Sequence, residues 1–269
     1  MKREMYRRRY SSRTIQTYSV CLKEFIDFVD VEPRRFTKKH VKEFLYYISD
    51  RELSGSTMNL YYQSIRFAMV NILNKRNFFL NLPYSRLPKR LPVVLNKEEV
   101  CRLIGSIDNI KHRLMIKLLY SSGLRLNELI NLRISDLEID SGYGWVRNGK
   151  GKKDRIFIIA SCLKEELRDI ISCRSGFVFL GRFGKYSHRT IQEIVRKATI
   201  TANIKKRVHP HTLRHSFATH LIENGYSLSS VQSLLGHSSP LTTQVYVHIA
   251  RPKMLNIKSP LDSLIKLEK

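Results

Sequence analysis

Several things are scarce in this 269-residue chain. There is no run of about 18 apolar residues and no strongly basic amphipathic anchor, so a membrane partner is not expected. The basic start, MKREMYRRRYSSR, lacks the apolar core of a signal peptide, and its Glu4 and tyrosines fit a transit peptide poorly. A cytoplasmic protein is the expectation. Cys21, Cys101, Cys162 and Cys173 are scattered, with no C-x-x-C pair, which argues against a disulfide framework or a zinc knuckle and for reduced thiols. Acids are scarce too, at 23 Asp+Glu with no D-x-D pair. The clustered carboxylates that hold divalent ions for metal-dependent DNA cleavage are therefore not expected, and neither is any other cofactor.

What is abundant is positive charge. Lys+Arg number 48, giving a net charge of +25, far from the balance of an enzyme acting on small neutral molecules. A polyanion is the implied partner, and with a membrane disfavoured that polyanion is nucleic acid. A hydrophobic content of 42% over this length can supply two cores.

Apolar residues recur at helical spacing from Ser11 to about Phe79. Tyr18, Leu22, Phe25 and Val29 make one stripe, Val41, Phe44, Leu45 and Ile48 a second, and Leu60, Ile65, Met69 and Leu73 a third. Arg34, Arg35, Lys38, Lys39, Lys42 and Arg66 lie between them, a one-signed pattern that suits phosphate better than mere solubility, and Thr37 stands at an expected helix N-cap. Pro83, Pro88 and Pro92 then enforce an extended path. We therefore expect a helical domain over 1–80, a linker over 81–93 and a second domain over 94–269. Asn96 with Glu98 and Glu99 should open that domain's first helix. Within it GWVRN and RIFIIA read as two strands joined by GKGKKD, and helices resume afterwards. The fold class expected is mainly α with a small antiparallel β-sheet.

Metal-free cleavage of a phosphodiester needs a side-chain nucleophile, cations around the non-bridging oxygens and an acid for the leaving oxygen. Four segments concentrate such groups: SSGLRLNELINL, NGKGKKDR, HPHTLRHSFATHL with LLGHSS, and TTQVYVHI. Arg125 and Glu128 are three apart and can share one helix face as a pair. Pro210 can open a helix that sets His211 and Arg214 on one face, and Gly236 can end another with His237 just beyond. His211 and His215 also have a metal-ligand spacing, but no nearby cysteine or acid completes a site, so His209, His215 and His220 are expected in packing or surface roles.

In order and spacing these segments resemble the boxes of the tyrosine recombinase family, and its Xer-type members in particular, over about residues 11 to 250. The resemblance implies a two-domain recombinase that cuts and rejoins DNA through a 3′-phosphotyrosine, needing neither ATP nor metal. It implies Tyr246 as nucleophile, Arg125 and Arg214 as phosphate clamps, His211 and His237 as further phosphate or proton ligands, Lys150 as general acid, and Glu128 as the group that orients Arg125. Lys152, Lys153 and Arg155 are expected on the DNA backbone, and Arg189 with Gln192 at base edges in the major groove. The resemblance also implies a tetramer on two DNA sites, linked by exchange of a C-terminal helix at about 260–269. Only about ten residues precede Ser11, which favours resolution of chromosome or plasmid dimers over integration of a mobile element. A type IB topoisomerase-like enzyme and a non-catalytic DNA-binding regulator are the other readings. A second recombinase or a DNA translocase as accessory partner is left open.

Overall fold

The computed structural model describes residues 1–75, 85, 91–147, 154–172, 174–236, 243 and 246. Lys150, Lys152, Lys153, His237, most of the proline-containing linker and the helix expected at 260–269 lie outside the described residues. The chain divides into two units, Met1–Arg90 and Leu91–Lys269.

The first unit is helical: α1 (Lys2–Arg7), α2 (Ser12–Val29), α3 (Lys38–Ser49) and α4 (Gly55–Asn71), with a 3-10 turn at Pro33–Arg35. Each long helix starts at a hydroxyl cap, where Ser11, Thr37 and Ser54 accept the backbone N–H of Thr14, His40 and Thr57. The three expected stripes meet in a core that includes Phe25, Val41, Phe44, Ile48, Ile65 and Met69, all fully buried. Phe25 sits edge-on to Phe36 and Phe44 with centroids 5.1 and 5.2 Å apart. The basic residues Arg34, Arg35, Lys38, Lys39, Lys42 and Arg66 stay exposed around it. Helix α1 is an addition to the expected pattern. Six residues give too little periodicity to read, and Met5 is drawn in by its contact with Ile15 and Phe67.

The second unit contains α5 (Lys97–Gly105), α6 (Ile110–Ser122), α7 (Leu126–Ile130), β1 (Leu137–Glu138), β2 (Tyr143–Val146), β3 (Arg155–Ile158), α8 (Lys164–Ile171), β4 (Leu180–Gly181), β5 (Gly184–Lys185), α9 (His188–Thr201), α10 (Pro210–Glu223) and α11 (Leu228–Leu235). The opening of α5 is the expected one, a capping box in which Asn96 and Glu99 each accept the other's backbone N–H. Strands β2 and β3 pair antiparallel with Tyr143 opposite Ile158 and Val146 opposite Arg155. The sheet is larger than expected, because β1 adds a two-residue strand beside β2, and β4 and β5 form a separate tight hairpin. Helix α6 runs through the core, with Leu114, Met115, Ile116, Leu118 and Leu119 all at 0% exposure. It also packs against α10, which brings distant parts of the sequence to the ends of both helices. Among the described residues no helix is long and apolar enough to cross a membrane.

Candidate active site

The site is organised by the end of α11. Val231 and Leu235 bury one side of this helix, and it stops at Gly236, whose φ of 60° is left-handed. A side chain there would also collide with Arg155, since a Cβ would lie 2.5 Å from its Cδ. Three consecutive carbonyls at this helix end each accept a bond from a different arginine. Arg155 Nη1 donates to Leu234 O at 2.8 Å, Arg214 Nη2 to Leu235 O at 2.5 Å and Arg125 Nη2 to Gly236 O at 3.3 Å. These are the carbonyls a helix leaves without internal partners, at its negative end, so the helix terminus gathers the cations that would otherwise repel one another.

Glu128 supplies the compensating charge. Its carboxylate accepts from Arg125 Nη1 at 2.7 Å, from the Arg125 backbone N–H at 2.8 Å and from Arg155 Nη2 at 2.5 Å. Arg125 does not share a helix face with Glu128, as the three-residue spacing suggested; it is the extended N-cap of α7, and Glu128 reaches back from the first turn. Burial pushes the Glu128 carboxyl up, but Arg155 and Arg125 outweigh it and hold the group ionised below its ordinary value.

Pro210 opens α10 at its first helical position, as expected, and His209 caps it by accepting the Thr212 backbone N–H. From this helix Arg214 points inward, 3% exposed, and donates to Gly123 O as well as to Leu235 O. Gly123 closes α6 with a φ of 60°, and a Cβ there would lie 2.5 Å from the Phe217 ring. Burial, then the charges of Arg125 and Arg155, draw the Arg214 pKa down to about 9, which leaves it charged at neutral pH. His211 stands exposed at the rim, its pKa lowered by desolvation and by His209, Arg214 and Arg125.

Tyr246 is 3% exposed, and its ring packs with Phe217, Ala218, Val231 and Leu235. Its hydroxyl meets His215 Nδ1 at 2.9 Å. Burial raises the phenol pKa, while Arg214 and Arg125 pull the other way, so both arginines are near enough to act on the phenol electrostatically. Beside Arg125 a groove of about 680 Å³ opens, lined by Asn127, Asn131, Arg133, Trp145 and Arg147 among others. The carboxylates of Glu128 and Asp136 also line it, next to Arg125 and Arg147.

The structure thus brings Arg125, Glu128, Arg214, His211 and Tyr246 into one place. Arg155 belongs there as well, but not as the backbone ligand expected. Its side chain is 9% exposed and committed to Glu128 and Leu234 O, so it braces the site from within. Strand alternation carried the signal, because Arg155, Phe157 and Ile159 share the inward face while Ile156 and Ile158 are exposed. His215 was expected to pack or face solvent, yet it bonds the phenol; its position four residues after His211 and next to Arg214 was the available clue. His220 bonds the Tyr120 hydroxyl at 2.8 Å. Arg66 is exposed on α4, and Arg189 and Gln192 are exposed on α9. Among the described residues no group of three His, Cys, Asp or Glu could hold a metal ion.

Residues 93–252, which contain Arg125, Glu128, Arg155, His211, Arg214, His215 and Tyr246, match the phage integrase family, and residues 1–76 match the phage integrase N-terminal SAM-like domain. The chain belongs to the phage integrase family of tyrosine recombinases. It is similar to a tyrosine recombinase of Pseudothermotoga lettingae, 36% identical with 91% of this chain and 90% of the relative covered. It is likewise similar to the tyrosine recombinase XerA of Pyrococcus furiosus, 36% identical with 89% and 84% covered. Among solved structures, that of the XerH site-specific recombinase bound to difH substrate in a pre-cleavage complex superposes with a TM-score of 0.71, at 25% identity and with 90% of this chain and 78% of the other covered. The reaction class follows from the family: this tyrosine recombinase of Xer type cleaves and rejoins DNA in site-specific recombination.

Proposed function

We propose that the protein resolves dimers of circular replicons, using Tyr246 as nucleophile within the cluster at the end of α11. The observation that carries this reading is that the Tyr246 hydroxyl lies within electrostatic reach of two arginines already fixed by helix-end carbonyls, since a phenol with a pKa near ~10 needs nearby cations to attack at neutral pH. In this reading Arg125 and Arg214 grip the non-bridging oxygens of the scissile phosphate. His211 and His237 add further donors. The Tyr246 oxygen bonds to phosphorus and gives up its proton to His211, the bond from phosphorus to the 5′ oxygen breaks, and Lys150 protonates the departing oxygen. Rejoining reverses these steps with a 5′ hydroxyl of the other site. The bond energy kept in the 3′-phosphotyrosine removes any need for ATP.

The working assembly in this proposal is a tetramer on two sites, with the helix expected at 260–269 passed between neighbours and the protein acting in the cytoplasm. Lys152 contacts the backbone, and Arg189, Gln192 and Arg66 contact DNA outside the cleavage point. Plasmids carrying two copies of genomic fragments from the host, in direct repeat, test the function. The expected result is resolution at one mapped crossover and a covalent protein–DNA complex on a nicked version of that site, absent in Tyr246→Phe. No resolution by any fragment, or an adduct that survives Tyr246→Phe, overturns the proposal. Relaxation of supercoils at equal speed on plasmids with and without the site would point to a topoisomerase instead, and excision of a mobile element from its insertion boundary would point to an integrase.

A further inference from the structure

We propose that His215 is a positioning residue for the nucleophile, seating the Tyr246 hydroxyl on the side of α10 that carries Arg214. The inference rests on Tyr246 being the nucleophile. Its basis is geometric. The Tyr246 ring lies against Phe217, Ala218, Val231 and Leu235, and such apolar contacts bury a ring without fixing where its oxygen points. His215 Nδ1 at 2.9 Å supplies that direction, from a ring tilted 45° to the phenol. His215 follows Arg214 directly and lies four residues after His211, so about one turn of α10 carries a phosphate clamp, the rim histidine and the partner of the nucleophile. A displacement of about 1 Å in a reacting atom is enough to slow a reaction roughly a hundredfold, which makes a directional contact here valuable.

A role as the base that removes the phenol proton fits less well. Burial, then His211, His209 and Arg214, hold the His215 pKa down to about 4, while burial raises the phenol from its ordinary value of 10.0. The two shifts widen the gap between base and acid, a bias against transfer before any phosphate arrives. A neutral imidazole can still accept the phenol's hydrogen bond throughout.

The test uses the full chain and a nicked duplex bearing the mapped crossover, made with an ordinary phosphate or with a 5′ bridging sulfur that leaves without protonation. His215→Leu should cleave about tenfold to a hundredfold more slowly at saturating DNA, with unchanged DNA affinity. His215→Asn, which returns a polar atom close to the Nδ1 position, should recover to within about fivefold of wild type. The sulfur substrate should not rescue His215→Leu, because the defect lies at the nucleophile and not at the leaving group. Cleavage by His215→Leu at or above the wild-type rate, rescue by sulfur, or an Asn variant no better than Leu would each overturn the assignment. If Leu fails to bind DNA, the Asn variant and the sulfur substrate decide. Absence of any adduct with wild-type protein would instead remove Tyr246 as nucleophile, so the two failures are distinct.

Discussion

The two units treat positive charge in opposite ways. In the first, Arg34, Arg35, Lys38, Lys39, Lys42 and Arg66 all lie exposed around a core of aromatic and aliphatic residues. In the second, Arg125, Arg155 and Arg214 turn inward onto Glu128 and the carbonyls of Gly123 and the α11 terminus. The same residue type therefore meets different physics. Exposed charges act over a Debye length of about 8 Å at physiological salt and add little to stability, whereas a buried charge is weakly screened and strongly destabilising once its partner is removed. The first arrangement suits adjustable contact with a long polyanion, and the second suits a fixed geometry.

The largest expected effect that would break this contrast is in the second unit. Glu128→Ala leaves Arg125 and Arg155 close together without their counter-ion and should lower unfolding stability by about 3–5 kcal/mol. Urea unfolding followed by Trp145 fluorescence measures it, and a loss under about 1 kcal/mol would mean that the helix-end carbonyls alone hold the arginines. The next effect is with pH. His215 takes its proton near 6.5 when unfolded but only near about 4 when folded, so the unfolded chain binds more protons between those values. Stability should fall as pH drops from about 6.5 towards 4, by about 3 kcal/mol from this group at the lower end, and His215→Leu should flatten the decline. An unchanged slope in the variant would assign the decline to other groups such as His211 and His220, whose pKa values are also lowered. The smallest effect is in the first unit. Lys38→Ala or Lys39→Ala should alter thermal stability by less than about 0.5 kcal/mol, while each reduces the slope of log affinity for DNA against log salt by about 1. A larger stability change, or an unaltered salt slope, would remove the distinction between gripping and bracing cations.

Much of this was legible in the chain itself. The stripes of Phe25, Phe44 and Ile65, the caps at Thr37 and Asn96, the turn at Gly236 and the proline start of α10 are local signals, set by residues within a few positions of one another. Arg125, His211, Arg214 and Tyr246 could be singled out by spacing and resemblance, and the structure gathers them. Other features depend on partners far away in sequence. Arg155 looks like one more basic residue of a hairpin until β3 is seen to turn it towards Glu128, and His215 gains its meaning from a phenol 31 positions later. Helix α1 and strand β1 are too short for periodicity to register; they form because tertiary contacts such as Met5 with Phe67, and β1 with β2, hold them.

The three-arginine cap on α11 also has a consequence for when the protein becomes competent. Two of its bonds join residues far apart in sequence, 111 positions for Arg125 with Gly236 and 79 for Arg155 with Leu234. Closing loops of that length comes late in folding. On the ribosome, where the chain emerges in order from its N-terminus, the first unit can form early. The arginine cluster cannot assemble until Gly236 has cleared the exit tunnel, so an unfinished chain has its first unit but not this site.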